Sequence, residues 1–426
     1  MVSNRSSSAR AKIRAGRRTG GWLRPSGAAA GAVALALALA ACGGSSGTPT
    51  SAGGKGGADF LSAPLKIVFL WSVKGEDSAS ADYYNQGGMM AVKEINKAGG
   101  VGGQKIETVR YQSNPLDPTN VVTNFLQAVD QKPAFIIGLP APDAEAASSD
   151  VTKAGIPTFS ITQDQNLNLG AKAGSPWLFS TVTNDGLQAA VASTFVADNL
   201  KATKVGLLHT NESFGDTGSA IQQAYFKAHG VKVIANIPYS VTATDLTGPV
   251  LAVKSAQAVI DWGYPNPVAV QLNQFVQNGI NIPTVTGGAA PYIVDGNLAK
   301  GAAIKNLYSI DPCNPTPTSP RVTAWIKSFE AMYGAPPTAS SAEAYDAVYL
   351  AVAAIKAARS IDPDKVRAAI ESLHYTNGIC TNDYHADGAH DLMHSVTVIA
   401  WATGVGKTEA VIKTPDQAAG TPNPGS

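Results

Sequence analysis

From Leu65 onward the chain alternates short apolar runs with longer stretches in which apolar residues return every three or four positions. Leu65–Leu70 (LKIVFL) predicts a strand, and Asn85–Lys97 predicts a helix with Met89, Val92 and Ile95 on one side. Ile106–Gln112 reads as the next strand. Thr119–Asp130 follows as a helix whose stripe is Val121, Val122, Phe125, Leu126 and Val129. Ala134–Gly138 is a strand, a short helix comes next, and Pro157–Ile161 is a further strand. Strands alternating with helices in this way predict a parallel sheet covered on both faces.

The alternation then starts again. Gly186–Leu200 predicts a helix, followed by strand Lys204–Leu208, helix Gly218–His229 and strand Val231–Ile234. A helix near Leu246–Lys254, strand Ala258–Trp262, helix Pro267–Gln277 and strands Thr284–Thr286 and Asn306–Ile310 complete the second unit. Three helices come after Cys313: Arg321–Tyr333, Ser341–Ala358 and Pro363–Leu373. Asp362 is placed to cap the last, with Pro363 in its first turn. Ser395–Trp401, a turn at Gly404–Gly406 and Glu409–Ile412 close the pattern, and 413–426 is expected to be a disordered tail. The fold class is α/β, with two doubly wound Rossmann-like units in series.

Composition changes the picture mainly at the start. The 426 residues are 44% hydrophobic and 15% charged, which suits two domains with a core each. The formal charge is +1, but residues 1–41 hold seven basic side chains and no acid. Without them 25 basic residues face 31 acids, a net charge near −6. A mildly acidic body speaks against nucleic acid as a partner. The basic run to Arg24 and the apolar stretch Ala28–Ala41 form an export leader, too short for a comfortable membrane span. Arg17-Arg18 lacks the apolar pair that twin-arginine export would need. The leader ends in Leu39-Ala40-Ala41-Cys42-Gly43, which resembles the lipobox of bacterial lipoproteins. That implies cleavage before Cys42, acylation of its thiol and a Gly/Ser-rich tether over 42–64. An ordinary signal peptide or an uncleaved anchor with an incidental cysteine is the alternative. Cys313 and Cys380 remain as a pair that an oxidising compartment can join; two buried free thiols are the other reading.

Several short runs in the body resemble type I periplasmic binding proteins, the branch that includes branched-chain amino-acid receptors. Ala91-Val92-Lys93-Glu94-Ile95-Asn96 with Ala98-Gly99-Gly100 and Gly102-Gly103 is similar to the family's AVEEIN-AGG-GG run. Asp117-Pro118, Ile137-Gly138, Ala154-Gly155-Ile156-Pro157 and Phe214-Gly215 follow in the family's order. Ala344-Tyr345-Asp346-Ala347-Val348-Tyr349 is similar to its AYDAVY helix. The resemblance spans about residues 65–412. It implies two lobes joined by a three-segment hinge, with 65–183 plus 314–376 in lobe 1 and 184–313 plus 377–412 in lobe 2. The crossings are expected near Thr183–Asp185, Asp311–Asn314 and Asn377–Thr381.

Ligands of open parallel sheets lie outside the carboxyl ends of the strands. The loops to examine are therefore Trp71–Asp77, Leu139–Asp143, Ser160–Asn166, Thr210–Phe214, Gly263–Asn266 and Gly287–Tyr292. In amino-acid-binding relatives a hydroxyl after the third strand holds the ligand carboxylate, and a carboxylate in the second lobe holds its ammonium. Those positions fall on Pro142, beside Ala141, and on about Ala289. Both ionic contacts are missing, which disfavours a simple α-amino acid. Ser160, Thr162, Gln163 and Asp164 offer polar groups, while Trp71, Phe214, Tyr264 and Tyr292 offer rings. The set suits an amino-acid-like, amide or aromatic-acid solute.

Other motifs lead nowhere. Gly99–Gly103 follows a helix, the wrong order for a phosphate cradle. Gly404–Thr408 lacks the first glycine of a P-loop, because position 401 is Trp401. Asn211-Glu212-Ser213 is a glycosylation triplet that carries no weight behind a lipobox. His385, His390 and His394 match no strong ligand spacing, so no metal is assigned. Neither a nucleophile elbow nor a nucleophile–base pair is present, so no cofactor and no enzymatic activity are expected. The resemblance implies a monomeric receptor, tethered outside the cell membrane, that hands a small solute to an ABC permease. A sensor presenting its closed form to a membrane receptor or kinase is the alternative.

Overall fold

The computed structural model describes residues 59–73, 81–114, 117–161, 163, 174–317 and 319–417. Cys42, Thr162 and Asp164 lie outside them, as do the leader and most of the tether. No helix among the described residues is long and apolar enough to cross a membrane.

The first sheet contains β1 (Leu65–Ser72), β2 (Ile106–Ser113), β3 (Phe135–Gly138), β4 (Thr158–Ser160) and β5 (Leu178–Ser180). They are parallel and run in the order β2-β1-β3-β4-β5. Between them lie α1 (Ala81–Lys97), α2 (Pro118–Asp130) and α3 (Ala141–Ala154). Asp117 caps α2 by accepting the Asn120 N–H, and Pro118 supplies a first-turn residue that needs no donor. Gly138 ends β3 at φ 141°, where a Cβ would lie 1.9 Å from the Leu70 carbonyl oxygen. Only glycine fits this exit toward the strand-end loops.

The second sheet runs β14-β13-β10-β9-β8-β6-β7. Its parallel part is β6 (Lys204–Thr210), β7 (Lys232–Tyr239), β8 (Ala258–Trp262), β9 (Thr284–Thr286) and β10 (Leu307–Asp311). Helix α4 (Asp185–Thr194) leads into β6 and runs on into a π-helical turn, Phe195–Asn199, while α5 (Ser213–Ala228), α6 (Thr247–Ala252), α7 (Pro265–Gln277) and α8 (Ala290–Asp295) lie between these strands. Helices α9 (Pro320–Tyr333), α10 (Ala339–Ala358) and α11 (Pro363–Glu371) then leave this sheet, and Asp362 caps α11 as its sequence implies. The short pair β11 (His374–Tyr375) and β12 (Tyr384–His385) follows, and the chain returns as β13 (Ser395–Ala400) and β14 (Lys407–Lys413). β13 is antiparallel to both β10 and β14.

The late helices pack on the first sheet. Trp325, Phe329, Tyr345, Val348 and Ile355 share one core with Phe69, Phe135, Phe159, Met90 and Ile95. The two runs that carry the family resemblance meet here. Tyr345 and Tyr349 of α10 donate to Glu94 Oε2 of α1 at 2.5 and 3.1 Å. A second core, on Val205, Leu207, Ile260, Trp262, Ile310 and Val398, underlies the other sheet.

The structure departs from the sequence reading at several places, the unforeseen β11–β12 pair among them. β5 was not foreseen, because a three-residue strand leaves too little pattern. α8 occupies what reads as a loop at Gly287–Tyr292. Phe60 and Leu61, assigned to the tether, dock their N–H groups on the Gly102 carbonyl at 3.1 and 3.0 Å. Residues 413–417 are not a loose tail, since Lys413 ends β14 and Gln417 bonds Asn184 and Asp387. The third crossing comes later than Asn377–Thr381. Ile379, Tyr384, Leu392 and Met393 belong to the first core, and the Leu392 N–H donates to the Ser180 carbonyl at 2.9 Å. Val396 is the first residue past that point in the second core. The cause is Asp346 of α10, whose buried carboxylate accepts the Ile379 and Cys380 N–H groups at 2.8 Å and the Tyr384 hydroxyl at 2.9 Å. It holds 378–384 against the first body. Cys380 is bonded there to Cys313, with Cα atoms 4.8 Å apart.

Candidate functional site

The carboxyl ends of the second sheet build an aromatic wall. β6 leads through Thr210 to Glu212, which caps α5 by accepting the Phe214 and Gly215 N–H groups at 2.9 and 3.1 Å. The Thr210 hydroxyl donates to the same carboxylate at 2.6 Å. Glu212 is thus engaged in fixing where Phe214 projects. The Phe214 ring lies 5.6 Å from Trp262, which ends β8, and 5.7 Å from Tyr264, the residue before α7. Such offset rings attract one another beyond their burial alone. Gly218 lets α5 lie on the indole, because a Cβ there would come 2.2 Å from the Trp262 ring. Phe214 and Tyr264 are half-buried, whereas Trp262 is covered and its indole nitrogen has no hydrogen-bond partner among the described residues.

Two carboxylates stand behind this wall. Asp261 of β8 is fully buried; Tyr239 donates its hydroxyl to Oδ1, and Oδ2 has no partner among the described residues. Burial pushes its pKa up to about 7, against the lowering effect of the tyrosine. Asp311, partly exposed at the end of β10, accepts the Ser309 hydroxyl at 2.7 Å, and burial raises it to about 6. Its Oδ1 lies 3.4 Å from where a Cβ on Gly288 would stand. Sequence reasoning missed both acids, although an aspartate inside the apolar run AVIDW was a usable signal.

The sign of the Asp261 effect is fixed. A raised native pKa means the native state keeps a proton that the unfolded chain has lost. Its contribution is complete below the unfolded value, near 3.8, and disappears as pH climbs through about 7. Asp261→Asn keeps an acceptor for Tyr239 and removes the charge. Denaturant midpoints at pH 5 and pH 8 should therefore differ less in the variant than in wild type, by about 2 kcal/mol. An unchanged pH dependence would show that Asp261 is ionised at no cost.

The expected residues of the first body fare unevenly. Trp71 is 2% exposed and stacks between Phe69 and Tyr84 at 5.6 and 5.1 Å, so its ring belongs to the core. Ser160 is buried and donates to the Leu139 carbonyl at 2.6 Å. Gln163 bridges to the first crossing, with its side-chain oxygen 2.9 Å from Gln188 Nε2 and its carbonyl accepting the Asp185 N–H at 2.8 Å. Ala141 and Pro142 begin α3, directly after the Gly138 exit. Ala289 is buried at the start of α8, its N–H on the Gly287 carbonyl at 2.7 Å, and Tyr292 is exposed. The structure therefore groups Phe214 and Tyr264 on one wall and removes Trp71 from it. His390 is separated from the other late histidines, since it stacks on Phe179 at 4.2 Å.

Two strand-end clusters on separate sheets, with the chain crossing three times between them, are the architecture that the sequence resemblance implies. The family model for "Periplasmic binding protein" matches residues 64–406. The chain belongs to this family. Among curated relatives, the leucine-, isoleucine-, valine-, threonine- and alanine-binding protein of Pseudomonas aeruginosa is 25% identical over 355 residues, covering 81% of this chain and 92% of that protein. Among solved structures, the branched-chain amino acid transporter substrate-binding protein of Streptococcus pneumoniae, in complex with isoleucine, superimposes with a TM-score of 0.68 at 24% identity. It covers 82% of this chain and 99% of its own. A solute-binding protein from R. palustris, in complex with benzoate, gives 0.66 at 18% identity, covering 84% and 99%. This periplasmic binding protein thus shares its fold with proteins solved with an aliphatic amino acid and with an aromatic acid.

Proposed function

We propose that this periplasmic binding protein is the substrate-binding lipoprotein of an ABC-type importer, held through Cys42 on the outer face of the cell membrane. It traps one small solute between its lobes and delivers it to a membrane permease. Closure is a population shift, because ligand adds contacts from both walls only in the closed form. The observation that carries this reading is the wall formed by Phe214, Trp262 and Tyr264 at the carboxyl ends of β6 and β8, in a chain that matches the family over 64–406.

Ring faces favour a flat or weakly polar solute, such as an amide, an aromatic acid or an amino-acid-like compound. Asp311 adds an acceptor for a donor group on that solute. The backbone at the start of α3, with Ala141 and Pro142, together with Ser160 and Gln163, supplies the opposite wall in this reading.

A thermal-shift screen against amino acids, aromatic acids, amides, polyols and sugars tests the class. A ligand at about 100 times its dissociation constant stabilises by about 2.7 kcal/mol. Hits among aromatic or amide compounds support the proposal, whereas a hit on leucine or valine alone contradicts the loss of both ionic contacts. For the ligand found, Tyr264→Ala should weaken binding about tenfold in calorimetry and leave the melting temperature of the free protein nearly unchanged. Equal affinity would remove Tyr264 from the site.

A further inference from the structure

Three side chains from separate segments converge beside the third crossing. They are His385 of β12, His394 just before β13, and Asp416 beyond β14. His385 Nε2 lies 3.0 Å from Asp416 Oδ1, and His394 Nδ1 lies 3.7 Å from the same oxygen. All three ligand atoms fall within 4.8 Å of one another.

For His394 the outer contacts decide which ring nitrogen carries hydrogen. His394 Nε2 faces two backbone carbonyls, of His385 at 3.0 Å and Asp391 at 3.2 Å. Carbonyls only accept, so Nε2 is the N–H, and Nδ1 of the neutral ring presents a lone pair. That nitrogen is on a side chain 2% exposed and has no hydrogen-bond partner among the described residues. His385 sits between two carboxylates, with Nδ1 3.1 Å from Asp383 Oδ1 and Nε2 3.0 Å from Asp416 Oδ1, and Asp383 is itself held by Lys413 at 2.9 Å; with the ring's hydrogen on Nδ1, His385 donates to Asp383. In the neutral ring Nε2 is then a second lone pair. Two nitrogen lone pairs and a carboxylate oxygen thus point into one small space. They repel one another unless something positive lies between them.

We propose that His385 Nε2, His394 Nδ1 and the Asp416 carboxylate bind a first-row transition dication, zinc foremost, with solvent completing a tetrahedron. Two imidazoles and one carboxylate are a donor set that zinc accepts, and its N···O edges are roughly 3.3 Å. The spacings of 3.0 and 3.7 Å bracket that value. The supporting shell is also in place, because metal-bound histidines give their other N–H to a carboxylate or a carbonyl. The two rings stack 4.1 Å apart, so capture turns His385, the less buried of the pair, until both lone pairs converge. The sequence reading assigned no metal, and Asp416 lies beyond a different strand from the two histidines. His390, the third histidine of that stretch, stacks instead on Phe179.

Bound metal would fasten residues 414–417 over the crossing. Gln417 already bonds Asn184 at 2.8 Å and Asp387 at 2.8 Å, so the clamp would join the first and third crossings.

The test uses the full chain in detergent, stripped with a chelator and titrated with zinc chloride against a chromogenic competitor at neutral pH. We expect one zinc per chain with a dissociation constant on the order of micromolar or tighter. Asp416→Asn, at a largely exposed side chain, and His385→Gln should each weaken binding at least about tenfold. His229→Gln, on an exposed helix end, should bind as wild type. Zinc should also slow hydrogen exchange over 407–417 in wild type and not in Asp416→Asn. The proposal is overturned if zinc fails to saturate at about 100 times the expected dissociation constant. It is equally overturned if Asp416→Asn and His385→Gln both bind like wild type, in which case protons alone fill the cluster.

Discussion

Replacing Cys313 and Cys380 together by serine should lower the melting temperature by about 10 °C. The bond closes a loop of 67 residues. Constraining a loop of that length in the unfolded chain stabilises by about 4 kcal/mol, and each kcal/mol is worth roughly 2–4 °C in a body of this size. The effect has a structural side as well. Cys313 follows β10 where the chain leaves the second sheet, and Cys380 lies in the segment held against the first. The bond therefore fastens the second crossing to the approach of the third. Calorimetry of the double variant, and of wild type under reductant, measures this. A melting temperature within a degree or two of wild type in both would mean that the packing around Asp346 already does all the fastening.

Asp346→Ala should cost about 3–5 kcal/mol, read from the denaturant midpoint. The carboxylate is 1% exposed and receives two backbone N–H groups and a hydroxyl, all within 2.9 Å. Removing it leaves those donors buried and unpaired, and each such loss costs about 1–3 kcal/mol. Burial raises the Asp346 pKa to about 6, although every donor and the nearby Arg321 act to lower it. Asp346→Asn should recover part of the loss, because one acceptor remains. Its effect should combine with the cysteine changes less than additively, since both hold the same 378–384 segment. A fully additive cycle would mean the two devices act on different events.

The fold was readable because strands buried on both faces repeat between amphipathic helices. LKIVFL, FIIG and AVIDW announce themselves by composition alone. β5 did not, since LFS is three residues long and its neighbours are polar. The third crossing was misplaced for a different reason. Nothing in residues 374–393 indicates that a carboxylate on α10 will claim their backbone, and that contact spans more than thirty positions. The site was legible in part. Strand-end logic picks out Phe214 and Tyr264 from where β6 and β8 stop, and the structure brings their rings together. It misjudged Trp71, which shares the side of β1 that α1 and α10 cover. Whether a strand-end ring faces the core or the opening depends on which helix lies over it, and hydrophobic period does not encode that.

The first body is made early and finished late. Its β5 edge is extended by Asp391 and Leu392, and its helix α1 is covered by α10, some 250 positions further along. No ordering of local events can complete it before the last quarter of the chain has been synthesised. Loop closure over such separations slows folding, and the waiting segment carries exposed apolar surface. The second sheet's parallel strands, by contrast, are contiguous from β6 to β10, and only β13 and β14 join them late. The earlier of the two sheets is thus the one whose partners come latest in the sequence. A variant that stalls in production should accumulate with its second unit folded and its first still open to proteases.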